Sequence, residues 1–205
     1  MTGPLQILPL TRSASHVQRF LEVSYGIYNG DPHWVAPLLL DARKVFSDVN
    51  PLFQHAEMQL WVAQRNGRDV GRIAGILDAH YNQLQPEPAA FFGFFECEQN
   101  PETSRELFAA AQTWARDRGA RRLLGPMNPT TNDECGLLVE GFDSAPQFMM
   151  TYNPPYYEDL ILREGYTNAK NLFAFQIEVA NCPLERLQRI ARQTRRRNPD
   201  IQFTA

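Results

Sequence analysis

Residues 58–77 read MQLWVAQRNGRDVGRIAGIL, and their reading decides the fold. Two runs rich in Leu, Trp, Val and Ile flank Asn66-Gly67. Asn-Gly between apolar runs is a strong short-range hairpin signal, because a tight two-residue turn of this kind needs positive φ at both central positions. The stretch predicts an antiparallel hairpin with Trp61 and Ile73 on opposite arms. Gly71 and Gly75, inside the second arm, mark a bulge or a close backbone approach.

Upstream, residues 5–10 predict a short strand that Pro9 confines to an edge or an end. Ser13 or Ser15 can cap a helix over about residues 15–28, with Val17, Phe20, Leu21, Ser24 and Ile27 at three- and four-residue steps. Asn29-Gly30-Asp31-Pro32 breaks it. Residues 31–55 are rich in proline and aromatics, so this loop must pack down, over a cleft, with one short helix near 39–46. Downstream, residues 91–97 predict a strand. Asn100-Pro101-Glu102 then starts a helix, with Asn as cap, Pro in the first position and an acid in the first turn. Leu107, Phe108, Ala111, Trp114 and Ala115 form its buried face, and Gly119 closes it. A strand at 122–125, a long polar loop over 126–153, a helix at 156–164 and an alternating strand at 172–178 follow. Pro183 opens an amphipathic helix with Leu184, Leu187, Ile190 and Ala191 on one side. The order predicts a mixed α/β fold, with a mostly antiparallel central sheet flanked by helices.

With 43% hydrophobic and 21% charged residues among 205, the chain can bury a core, which excludes disorder as its dominant state. Its longest apolar runs fall far short of the ~20 residues of a membrane span, and its first residues lack the pattern of a signal peptide. Cys97, Cys135 and Cys182 are too widely spaced for a metal knuckle or a disulfide frame, so no metal is expected and the chain reads as cytoplasmic. Net charge is −3, split between −7 over residues 1–182 and +4 over 183–205, where six Arg face Glu185 and Asp200. No aromatic interleaves the Arg run, so it reads as the solvated face of a linker helix rather than a nucleic-acid surface. The expected division is a domain over 1–182 and a basic amphipathic linker helix over 183–205.

The order of elements, and the run from Tyr156-Tyr157-Glu158-Asp159-Leu160 through Arg163-Glu164-Gly165-Tyr166, resemble the GCN5-related N-acetyltransferase (GNAT) fold. Residues 31–35 (DPHWV), 91–96 (FFGFFE), 125–129 (GPMNP) and 132–139 (NDECGLLV) look like a bacterial branch of uncharacterised acetyltransferase-like proteins, and the resemblance covers residues 5–180. Members of that branch are nearly twice this length. The resemblance therefore implies a second similar domain beyond Ala205, and this chain as one piece of a longer protein.

The resemblance implies acetyl-CoA as cofactor, its pyrophosphate resting on backbone N–H groups at a helix N-terminus. The matching residues are Cys97, Glu98, Gln99, Asn100 and Thr103. The segment departs from the pattern: it has no glycine, Pro101 has no N–H, and Glu98 and Glu102 put carboxylates where the pyrophosphate would lie. An acyl-CoA site and a well-capped helix start both stay open. The resemblance also implies a general acid for the CoA thiolate, matched by Tyr156 or Tyr157. A general base for the amine is Glu96, where desolvation at the end of an apolar strand would raise its pKa, with Glu134 as competitor. His33 and Trp34 fall where acceptor contacts are expected. Asn132, Asp133 and Glu134 would line a cleft that attracts a cationic amine, or else cap loop N–H groups. Cys135 reads as a small buried residue beside a turn, and Arg72 as a salt-bridge partner or an anion contact. The implied activity is transfer of an acetyl group from acetyl-CoA to a small-molecule amine. The alternative is a non-catalytic module of the same fold that binds a small ligand or a partner domain. Expected partners are the amine and a second similar domain or a second copy, with neither membrane nor nucleic acid.

Overall fold

A computed structural model of the chain describes residues 3–200, which fall into two units, Met1–Ala169 and Lys170–Ala205. The first unit runs β1 (Leu5–Leu10), α1 (Ala14–Ile27), α2 (Leu39–Val45), β2 (Ala56–Arg65), β3 (Arg68–Asp78), α3 (Ala79–Gln83) and β4 (Ala89–Cys97). It continues through α4 (Pro101–Asp117), β5 (Arg122–Leu124), β6 (Met127–Asn128), β7 (Glu134–Cys135) and α5 (Tyr157–Arg163). Strands β1 to β5 lie in sequence order in one sheet, antiparallel except for the parallel β4–β5 pair. The expected mixed α/β architecture is the one found. Asn66 and Gly67 take φ of 52° and 76° in the turn between β2 and β3, and Trp61 pairs with Ile73.

Alternation along the strands sorts the core into two faces. Trp61, Ile73, Phe92, Phe95 and Cys97 pack with Leu107, Phe108, Ala111 and Trp114 of α4 and with Tyr157 and Leu160 of α5. Leu60, Val62 and Ala74 point the other way, onto Val17, Phe20 and Leu21 of α1 and onto Phe46. The close approach expected in β3 is real: a Cβ on Gly75 would lie 2.8 Å from the Trp114 ring.

Strand β4 breaks the alternation once. Arg72 pairs with Glu96 and Ala74 with Gly93, so β4 carries one residue more than β3 over this stretch. Phe94 sits at the break with φ 51°, a conformation that L-residues other than Gly, Asn and Asp seldom adopt. Asn128 Oδ1 accepts the Phe94 N–H at 2.6 Å, which satisfies the group that the bulge would leave bare. Pairing with β5 ends at Phe91, and β6 crosses beside the free part of β4.

The second unit, described by itself, holds α6 (Leu184–Arg197) with Arg195, Arg196 and Arg197 in its last turn, where cations complement the helix dipole. Of the expected 183–205 segment, residues 201–205 lie outside the described residues. The strand expected at 172–178 does not form among the described residues. Its alternating pattern is real, but a strand needs a neighbour to take its N–H and C=O groups, and among the described residues none pairs with it.

The β4–β6 contact is tight enough to test. A Cβ on Gly93 would fall 1.6 Å from the Met127 carbonyl oxygen, whereas one on Gly26 meets nothing within 4 Å. Urea unfolding should show Gly93→Ala losing about 3 kcal/mol or more through overpacking. Gly26→Ala, in the last turn of α1, should gain up to about 1 kcal/mol.

Candidate active site

The bulge decides where Glu96 points. In an unbroken strand Glu96 would share a face with Phe92, beneath α4. The extra residue turns Phe95 and Cys97 under α4 instead and brings Glu96 to the side of Arg72. Arg72 Nη1 donates to the Phe20 carbonyl at 2.9 Å, its guanidinium lies 4.9 Å from the Phe20 ring centre, and Nη2 stands 3.4 Å from Glu96 Oε1. The Tyr157 hydroxyl donates to Glu96 Oε2 at 2.7 Å and accepts the Cys97 N–H at 2.8 Å. Burial raises the Glu96 pKa, and Arg72 and the hydroxyls of Tyr157 and Tyr28 offset part of that rise. The side chain keeps 12% of its exposure, so one edge remains open.

Glu134 stands exposed in the β6–β7 ladder, opposite Asn128. Desolvation raises its pKa too, and Asp133 adds to the rise while Asn128 and Arg72 oppose it. Arg72 is paired with Glu96, and its field reaches Glu134 as well.

An aromatic wall stands beside this floor. Tyr28 stacks on Trp34 with ring centres 4.9 Å apart, and the Tyr25 ring meets Trp34 edge-on at 5.2 Å. Tyr152 lies 5.9 Å from Tyr28 and donates its hydroxyl to Asp31, which also accepts the His33 backbone N–H. These bonds tie the loop after α1 to the loop before α5. Burial and the Asp31 carboxylate push the Tyr152 hydroxyl up to about 12.

Of the expected site residues, Glu96 lies among Arg72, Tyr157 and Tyr28, and Trp34 stacks on that Tyr28, while Glu134 stands exposed on β7. Tyr156 and Tyr157 close the free edge of β4: Tyr156 donates to the Cys97 carbonyl at 2.8 Å, and Tyr157, 1% exposed, spends its proton on Glu96. His33 is held through its backbone. Asp133 bonds the N–H and hydroxyl of Thr130, and the Asn132 N–H bonds that hydroxyl, so both serve the turn. Cys135 is half-buried, and burial raises its thiol pKa. Sequence reasoning missed Tyr28, Asn128, Asp31 and Tyr152. Among the described residues no group of three or more His, Cys, Asp or Glu gathers to hold a metal ion, and no helix is long and apolar enough to cross a membrane.

The turn expected to hold a pyrophosphate is filled from within. Arg65, 9% exposed, reaches Glu102 at 2.9 Å, Thr103 Oγ1 at 3.1 Å and Glu98 at 3.4 Å. Thr103 in turn donates to Glu98 at 2.7 Å. Asn100 Oδ1 takes the Glu102 N–H, Pro101 has none, and Cys97 is fully buried. Glu98, Asn100 and Thr103 are committed to one another and to Arg65, and Gln99 is exposed. The residues at 97–103 do not fit a pyrophosphate.

No family model matches the chain. Over 180 residues, 85% of its length, it is 36% identical to "Bacterial ceramide synthase" of Caulobacter vibrioides (strain NA1000 / CB15N), and the match covers 46% of that protein. The chain spans about half the length of the curated relatives it matches. Among solved structures, a tandem GNAT protein from the clavulanic acid biosynthesis pathway superposes with a TM-score of 0.54 at 19% identity, over 79% of this chain and 43% of that one. The aminoglycoside N-acetyltransferase AAC(6')-Iy, in complex with a bisubstrate analog that contains CoA, gives 0.51 at 13% identity, over 86% of this chain and 99% of its own. The domain has the acyl-CoA N-acyltransferase-like fold of the GCN5-related N-acetyltransferases.

Two outcomes follow from the two carboxylate clusters. Coenzyme A at millimolar concentration should leave the melting temperature of the chain unchanged, since only a ligand that binds the folded state raises it. A rise of several degrees would show that the Arg65 cluster opens. Glu96 holds its proton to higher pH folded than unfolded, so its contribution to stability is full below the ordinary carboxylate range and lost as pH rises through its raised folded value. Urea unfolding from pH 4 upward should show that decline in the wild type and a flatter profile in Glu96→Gln.

Proposed function

We propose that this domain holds the amine acceptor of an N-acyltransferase, and that Glu96 takes the proton the amine must lose before an amide can form. The observation that carries the reading is the buried Glu96 carboxylate, desolvated, oriented by Tyr157 and Arg72, and beside the stacked Tyr28 and Trp34 rings. An alkylamine with a pKa of about 10 is an ammonium ion at neutral pH and carries no nucleophilic lone pair. The carboxylates of Glu96 and Glu134 would attract that ion. The raised basicity of Glu96 then suits it to accept one N–H proton on a carboxylate oxygen, leaving the neutral amine.

The chemistry agrees with the relative's name, since a ceramide is the N-acyl amide of a long-chain amino alcohol. Exposed apolar side chains on the two flanking loops support a long-chain acceptor. Val35 and Leu38 stand 63% and 74% exposed in the loop that carries Trp34, and Phe148, Met149 and Met150 stand 92%, 46% and 46% exposed just before Tyr152. One to four residues of chain reach at most ~14 Å, so both sets lie near the wall that Trp34 and Tyr152 help to build.

The filled turn at 97–103 gives the domain a divided role. It supplies the acceptor side, and in a protein of the relatives' length the acyl donor would be held by the other half. The basic helix α6 would then lead from this domain towards that half.

Calorimetric titration with a soluble alkylamine tests the reading, with the alcohol of equal chain length as control. The amine should bind, the alcohol should bind roughly tenfold or more weakly, and Glu96→Gln and Glu134→Gln should each cost the amine a similar factor. Equal binding of amine and alcohol, or variants that both bind as the wild type does, would overturn it.

A further inference from the structure

The two carboxylates lie 38 positions apart in the chain, on β4 and β7. One side chain stands by both. Asn128 Oδ1 accepts the Phe94 N–H at 2.6 Å and so pins the bulge that turns Glu96 towards Arg72. The same residue stands opposite Glu134 in the β6–β7 ladder, and its side chain lowers the Glu134 pKa. With Oδ1 given to Phe94, the group left for a carboxylate is the amide NH2, which can only donate. Asn128 therefore has a direction: acceptor towards the strand, donor towards the acid.

We propose that Asn128 is the positioning residue of the amine site, its carbonyl oxygen fixing the bulge that aims Glu96 and its amide nitrogen holding the Glu134 carboxylate in place. The inference rests on the acceptor-site reading above for what the two acids do, but the coupling itself is a property of the unliganded domain. Asn is suited to this because it offers an acceptor and a donor from one short, planar group. Asp keeps the acceptor and replaces the donor with a charge. Ala keeps neither.

That difference makes the role separable from plain support of the fold. In Asn128→Asp the Phe94 N–H still meets an oxygen, and a charged one accepts a stronger bond, so the bulge should persist. Glu134, whose pKa Asp133 already raises, would then have a carboxylate opposite it in the ladder in place of an amide. Like charges at this range favour the protonated acid, so its titration should move to higher pH. In Asn128→Ala both bonds go, and the bulge has no partner for its N–H.

The test is carboxyl-carbon NMR titration of protein labelled at glutamate, with urea unfolding alongside. Asn128→Asp should unfold close to the wild-type midpoint while the Glu134 midpoint rises by roughly one pH unit. Asn128→Ala should lower the unfolding midpoint and alter the titration of Glu96 as well as Glu134. An Asn128→Asp protein in which Glu134 titrates as in the wild type would overturn the proposal, as would Asn128→Ala leaving Glu96 unmoved. Because this readout needs no ligand, it is independent of the acceptor reading. Alkylamine titration of the same variants separates the two. Shifted titrations with no amine binding in the wild type would sink the acceptor site and keep Asn128 as the link. Amine binding that survives in both variants at wild-type affinity would do the reverse.

Discussion

One extra residue in β4 governs the rest of the domain. Between the pairs Arg72–Glu96 and Ala74–Gly93 the strand gains a step, and side-chain parity flips. Above the bulge Phe92 lies under α4; below it Phe95 and Cys97 do, so the core beneath α4 stays continuous across the break. Glu96 is the residue released to the opposite face. Without that step either the acid would be driven under α4 or the aromatic ladder of β4 would be broken. The bulge costs a positive φ at Phe94, a conformation that persists only when its surroundings over-determine it. Asn128 on one side and the packing of Phe94 against Phe20 and Phe46 on the other supply that constraint.

Burying Glu96 and Arg72 together is not an efficient way to stabilise a sheet. Two apolar residues of similar volume often do as well or better, while loss of one partner alone typically costs about 3–5 kcal/mol. The surroundings show how the charge is tolerated: the Phe20 carbonyl, the Phe20 ring and the Tyr157 hydroxyl each meet part of the pair. They hold it in one orientation. The pair also differs from the more exposed Arg19–Asp69, where one guanidinium meets one acid through two bonds of 2.7 Å.

What could be read from the sequence was what local rules decide. Asn66-Gly67 specifies its own hairpin, Asn100-Pro101-Glu102 its own helix start, and the spacing of Leu107, Phe108, Ala111 and Trp114 its own buried face. Glu96 was legible as a candidate because an acid at the end of an apolar strand must be desolvated. The direction in which it points was not legible, because it depends on a bulge that FFGFFE does not announce. Tyr152 and Asp31 are 121 residues apart, and Arg65 is 37 from Glu102; no periodicity links such pairs. The alternating run at 172–178 misled for the complementary reason. Its pattern states what a strand would look like, while pairing depends on a neighbour that this stretch of chain does not supply.

The acids on either side of Cys97 also share an electrostatic logic. At the α4 start the helix dipole favours an anion, and the chain meets that preference itself with Glu98 and Glu102, anchored by Arg65. A bound phosphate would have to displace carboxylates that already have the dipole, the guanidinium and the Thr103 hydroxyl as partners. At Glu96 the arrangement differs: Arg72 stands 3.4 Å from a buried acid that also accepts the Tyr157 hydroxyl, so the carboxylate is oriented rather than used to close a helix start. Both follow from where Arg65 and Arg72 are spent. Residues 1–182 carry a net charge of −7, a field that attracts cations and opposes a polyanion.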